Sequence, residues 1–261
     1  MIERAHGAPD LRAPTFADII ASLRAGVRDF AAAPHLGLFF SGFYVAVGAA
    51  IAAVTYVTGT TFWLILAVLG FPLIGAFAAL GLYEVSRRRQ VGEALDFGAI
   101  VSVVWSERSG QLPWLAVMVV VLFLFWFFLG HMIFALFLGL SPMTNISSSP
   151  DVLLSSDGLA MLAFGTAVGA AFAALTFAMS VLSMPMLLDR DVDFVTALTH
   201  SIRAVAQAPV IYLGWGLFIA AVTLAAMLPV FLGLFLALPV LGHATWHLYC
   251  AVTHNQAPAR F

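Results

Sequence analysis

The chain has no lysine, a single cysteine and few charges of either sign. Asp, Glu, Lys and Arg make up 9% of its 261 residues, against roughly 25% in an ordinary soluble domain. With 62% hydrophobic residues beside so little charge, a soluble globular enzyme is excluded. The cations are eleven arginines, and a net charge of -2 leaves no basic surface able to neutralise a run of phosphates, so nucleic acid is not the partner. Cys250 alone closes no internal disulfide and heads no zinc or iron–sulfur site. The His-Glu-x-x-His zinc motif, the glycine-rich phosphate loop and a serine nucleophile set beside a buried Asp and His are all missing, and no enzyme is expected. Carboxylates are absent from the centres of the apolar runs, which removes the usual mark of ion-coupled transport.

What the chain has is long apolar runs. A hydrocarbon core of about 30 Å needs ~20 apolar residues as helix, because lipid satisfies no backbone group. Six stretches qualify: Leu36–Val57, Phe62–Tyr83, Trp114–Leu140, Met161–Leu187, Val210–Leu228 and Val230–Cys250. The last two form one run about twice the bilayer core in length at ~1.5 Å per residue, so the chain folds back at Pro229. Arg4, Arg12, Arg24 and Arg28 precede the first span, Arg87, Arg88, Arg89 and Arg108 separate the second from the third, Arg190 and Arg203 the fourth from the fifth, and Arg260 follows the sixth. The intervening segments, including the loop Ser141–Ala160, have none. One-sided arginine predicts a bacterial inner-membrane protein with both termini cytoplasmic, and no cleaved signal is expected.

The arginine-bearing segments carry helical periodicity. Phe16, Ile19, Ile20, Leu23, Val27 and Phe30 recur at helical spacing, with Asp18, Arg24, Arg28 and Asp29 elsewhere. Thr15 and Asp18 predict a capping box, and Pro34 marks the end of that helix. A second copy runs Phe97, Ile100, Val101, Val104, Trp105 between Asp96 as cap and Pro113 as stop. A third runs Phe194, Leu198, Ile202, Val205 between Asp193 and Pro209. Each copy precedes two spans. The expected fold is therefore all-α: six transmembrane helices plus three interfacial amphipathic helices, as a repeat of about 15–93, 94–190 and 191–252 within one membrane domain, 15–252. A flexible tail, 1–14, and a C-terminal tail, 253–261, flank it. Ser22-Leu23-Arg24-Ala25 matches Ser201-Ile202-Arg203-Ala204, and Pro72-Leu73-Ile74-Gly75 resembles Pro239-Val240-Leu241-Gly242, while the middle copy keeps Pro185 without the glycine. Two spans per copy make the repeats parallel, about a pseudo-threefold axis along the membrane normal; an amphipathic helix before a hairpin is also what any short-looped membrane protein presents.

Small residues at Gly165, Gly169 and Ala173, and at Gly75 and Ala79, permit close helix packing. Serines and threonines in the spans can bond back to their own helix. His243 and His247, at i and i+4 on one face of the sixth span, are the candidate metal ligands, for copper or haem. Met184 and Met186 flank Pro185 at similar depth and would suit Cu(I), whereas His131 is too central to join them. The preferred reading is a structural pair beside an aromatic belt of Trp246 and Tyr249, with no cofactor. Glu84 and Asp189, at span ends among arginines, are expected as ion pairs.

Four strings, Leu23–Pro34 (LRAGVRDFAAAP), Phe71–Arg88 (FPLIGAFAALGLYEVSRR), Leu188–Phe194 (LDRDVDF) and Pro239–Tyr249 (PVLGHATWHLY), resemble a prokaryotic family of integral membrane proteins of unknown function. Some of its members have been described as cytochrome c oxidase proteins. The resemblance implies an accessory or assembly subunit of a respiratory, oxidase-like complex, since an oxidase catalytic subunit has many more spans and metal-ligand histidines than His131, His243 and His247 supply. The partners expected are the lipid bilayer and another membrane complex, supported by the aromatic-rich third span (Phe123, Phe125, Trp126, Phe127, Phe128). The alternative is a small transporter or channel between the repeats, where Pro72, Pro185 and Pro239 converge and Thr166, Thr176, Ser180 and Thr223 supply polar lining.

Overall fold

A computed structural model describes residues 5–59, 78–139 and 150–253. The three amphipathic helices form where the caps predict. Helix α1, Phe16–Ala32, opens on a reciprocal capping box in which Thr15 Oγ1 accepts from the Asp18 amide and the Asp18 carboxylate accepts from the Thr15 amide at 2.7 Å. Asp18 is further clamped by Arg12 at 2.8 Å, and that guanidinium holds its carboxyl well below the usual range. Ahead of α1, in the segment expected as a tail, β1 (Ala5–His6) pairs in parallel with β2 (Arg190–Asp191), and the Arg12 amide donates to the Val252 carbonyl.

Helix α2, Pro34–Thr58, follows at once. Proline serves the same purpose at its start as at the start of two later spans, since an N1 position has no intrahelical use for its N–H. Helix α3, residues 78–91, contains the C-terminal end of the expected second span and the arginines that follow it. The rest of Phe62–Tyr83, with Pro72 and Gly75, lies outside the described residues. Helix α4, Phe97–Ser106, is capped by Asp96, and α5, Leu112–Leu138, carries Pro113 in its first turn. After the short helix α6, Pro150–Leu153, comes α7, Ser156–Ser180, capped by the Ser155 hydroxyl. The last residues of the expected Ser141–Ala160 loop are thus the first turn of a span. Helix α8 is Ser183–Asp189, α9 is Phe194–Gln207 with Asp193 as cap, α10 is Pro209–Met227 and α11 is Leu234–Thr253. Among the described residues five helical segments are long and apolar enough to cross a membrane: α2, α5, Ser156–Asp189, α10 and α11.

Two boundaries move for identifiable reasons. The fourth span breaks at Val181–Leu182, four residues ahead of Pro185, because a proline donates nothing to the carbonyl one turn back and crowds it. The return at Pro229 extends through residue 233, with Val230 and Phe231 at φ 52° and 65°, so α11, expected as the sixth span, starts at Leu234.

Each amphipathic helix packs on another helix: α4 on α3, α9 on the end of α7, and α1 on α11. Ile100 of α4 shares a cluster with Leu82 and Val85 of α3. Ser201 of α9 donates to the Ala178 carbonyl and accepts from the Leu182 amide. Helix α1 lies across α11, where a Cβ on Gly26 would meet the Val240 carbonyl at 2.5 Å and the Ala244 amide at 2.8 Å. The junctions Ala33 (φ -140°, ψ 60°) and Ala208 (φ -136°, ψ 58°), each just before a proline, share one conformation. Gly165 faces Ile133 and Gly169 faces Trp126, so these glycines serve the α5–α7 contact within the chain. Thr176 and Ser180 donate to the carbonyls of Phe172 and Thr176 on their own helix.

Candidate functional site

Where α1, α3 and α11 meet, the sequence has brought together polar groups that an apolar interior tolerates only when paired. Asp29, 6% exposed, reaches from the last turns of α1 between the other two helices. Its Oδ1 accepts from Arg89 at 2.8 Å and its Oδ2 bonds His247 Nε2 at 2.7 Å. Burial opposes the charge, but the hydrogen bonds from His247 and Ser86 outweigh it and hold the carboxyl below its ordinary range.

The neighbours fix the His247 tautomer. An indole only donates, so Trp246 Nε1 at 2.9 Å identifies the Gln90 atom facing it as Oε1, which also takes the Cys250 thiol at 3.5 Å. The Gln90 amide nitrogen must then donate to His247 Nδ1, 3.1 Å away, and Nε2 carries the hydrogen given to Asp29. A neutral imidazole satisfies every link, and both of its nitrogens are occupied. His243, fully buried, bonds Ser86 through Nδ1 at 2.8 Å; its ring lies near the Leu82 carbonyl, and Nε2 makes no hydrogen bond of ordinary geometry.

A second group lies beside the first. Glu84, with no exposed surface, accepts from Arg87 at 2.7 and 2.8 Å and from Arg88 at 2.7 Å. Asp189 accepts from Tyr249 at 2.8 Å and from Arg190 at 3.1 Å. The carboxylates expected as ion pairs at span ends are ion pairs.

His243 and His247 thus lie on one helix but in separate hydrogen-bond settings, one on Ser86 and one between Gln90 and Asp29. Met186 is fully buried in the core and Met184 packs against it. His131 bonds the Phe127 carbonyl of its own helix at 2.8 Å. Among the described residues no group of three His, Cys, Asp or Glu is placed to hold a metal ion. From the sequence Asp29 stands only as a polar residue off the apolar stripe and Arg89 only as a cation between spans, and nothing there singles out Ser86 or Gln90. A signal for Asp29 was available: with Ser22 and Gly26 it lies at i, i+4, i+7, a seam of small and polar residues beside the apolar stripe.

Residues 64–189 are similar to a family described as a predicted integral membrane protein (DUF2189). No curated protein and no solved structure matches the chain. The apolar helices and this likeness agree: the chain is an integral membrane protein, with its apolar helices in a lipid bilayer.

Proposed function

We propose that the protein is a non-enzymatic inner-membrane subunit that packs laterally against a larger membrane complex, of respiratory type by the resemblance of its motifs. One observation carries this reading. Helix α5 is only 17% buried, and Met118, Val121, Phe125, Phe128, Met132 and Leu136 stand exposed along it at intervals of three and four residues. That is the spacing of a knobs-into-holes seam, with aromatic and methionine side chains suited to a helical partner. In native-lipid or mild-detergent purification a partner protein is expected in near-stoichiometric amount, and Phe125→Ala with Phe128→Ala should release it while the helical content stays. A clean monomer from native lipid would overturn the proposal.

The topology belongs to the same reading: six spans, three repeats and both termini cytoplasmic. It is supported by the common junctions at Ala33 and Ala208 and by the way α1, α4 and α9 each rest on a helix expected as a return span. Reporter fusions after Ser148 and after Arg89 should report opposite compartments, and a shared compartment would refute the six-span arrangement.

No cofactor enters the reading. His243 and His247 hold helices together, supported by the engagement of both His247 nitrogens. Elemental and haem analysis of purified protein is expected to give less than about a tenth of an equivalent of copper, zinc or haem, since two ligands on one helix face bind weakly alone. A full equivalent that His247→Ala removes would reverse the assignment.

A further inference from the structure

The described arginines divide into two groups. Arg12, Arg87, Arg88, Arg89 and Arg190 each form an ion pair with a carboxylate. Arg24, Arg28, Arg108 and Arg203 are exposed and form none among the described residues. Arg108 lies over the Trp105 ring at 4.2 Å, and Arg203 stands singly on α9. Arg24 and Arg28, by contrast, are a pair at i and i+4 on one face of α1. The acids of that helix are occupied elsewhere, Asp18 by Arg12 and Asp29 by Arg89 and His247, so the positive face is uncompensated.

Beside the pair, α1 leaves its apolar stripe uncovered: Phe16 is 72% exposed, Ile20 38% and Val27 52%. The buried side is the seam of Ile19, Ser22, Gly26 and Asp29. Around the helix the order is therefore seam, apolar stripe, arginines, with Leu23, Arg24, Val27 and Arg28 lining one open hollow. A helix fixed to the protein by one face, with apolar residues next to two guanidiniums that meet no carboxylate among the described residues, suits a ligand that is anionic at one end and hydrocarbon at the other.

We propose that this face of α1 binds an anionic phospholipid, with its phosphate held by Arg24 and Arg28 and its acyl chains against Ile20 and Val27. The site is separate from the α5 stripe and stands or falls apart from any protein partner.

Delipidated protein in mild detergent, titrated with dioleoylphosphatidylglycerol and followed by native mass spectrometry, tests it. The wild-type protein should bind the lipid with an affinity that falls as salt is raised, and dioleoylphosphatidylcholine should bind far more weakly. Arg24→Gln with Arg28→Gln should weaken phosphatidylglycerol about thirtyfold, at unchanged helical content, and each single variant about fivefold. Arg203→Gln should change it little. Inorganic phosphate should not compete. Equal affinity for the two lipids, salt-independent binding, variants that bind like the parent, or competition by inorganic phosphate would each overturn the proposal. The single variants and the salt series keep it open to refutation should the double variant fail to fold.

Discussion

An Asp29→Ala variant is expected to unfold about 3 kcal/mol more easily than the parent, because removing the acceptor leaves Arg89 and His247 without their partner. Arg89 is about a third exposed and can recruit water, which keeps the figure below the upper end for a buried pair. In thermal unfolding in detergent the loss should read as a shift of roughly 10 °C. Arg89→Ala alone should cost less, and the double variant less than the sum, since the two changes remove one shared interaction. The pH dependence has a definite sign. The folded-state carboxyl titrates below its ordinary range, so its contribution is complete above about pH 4 and is lost as the pH falls through the depressed folded value. Asp29→Asn should flatten that acid limb without abolishing it, because Asp18, lowered by Arg12, contributes in the same direction. Stability within about 0.5 kcal/mol of the parent for Asp29→Ala would mean that the network does not hold the three helices together.

Gly26→Ala is expected to cost about 2 kcal/mol even though alanine is the better helix former by about 1 kcal/mol. The added Cβ meets backbone, the Val240 carbonyl and the Ala244 amide, which cannot rotate away as a side-chain tip can. The helices must separate, taking with them the Asp29–His247 contact a turn further on. Gly26→Leu should go further and lift α1 from α11. The buried Cys250 thiol reports the event, since its protection from a maleimide should fall as the seam opens. Gly130→Ala, where a Cβ meets nothing within 4 Å, is the control and should lose no stability. If Gly26→Ala also loses none, the close approach of α1 and α11 is not what the geometry indicates.

Both predictions rest on contacts that hydropathy and periodicity do not reveal. Spans, caps and proline starts depend on interactions within about four residues or on bulk apolar content, and the chain states those locally. Thr15, Asp96 and Asp193 therefore cap helices where the pattern places them, and Pro34, Pro113 and Pro209 each open a span. The break at Val181 was legible only in part: Pro185 announces a distortion, but the distortion falls a turn earlier.

The sequence by itself determined that this is a membrane protein of apolar helices joined by capped amphipathic ones, because burial in lipid and satisfaction of helix ends are requirements each segment meets alone. Only the tertiary structure decided which face of α1 is inside. Periodicity marks Phe16, Ile19, Ile20, Leu23, Val27 and Phe30, yet of these only Ile19 is buried, and it is joined by Ser22, Gly26 and Asp29, since close backbone approach to α11 selects small side chains, while lipid can cover the apolar ones. The roles of His247 and Gln90 were decided there too. Asp29 and His247 are 218 residues apart in the chain, and no local rule relates a carboxylate on one helix to an imidazole on another until packing brings them to 2.7 Å.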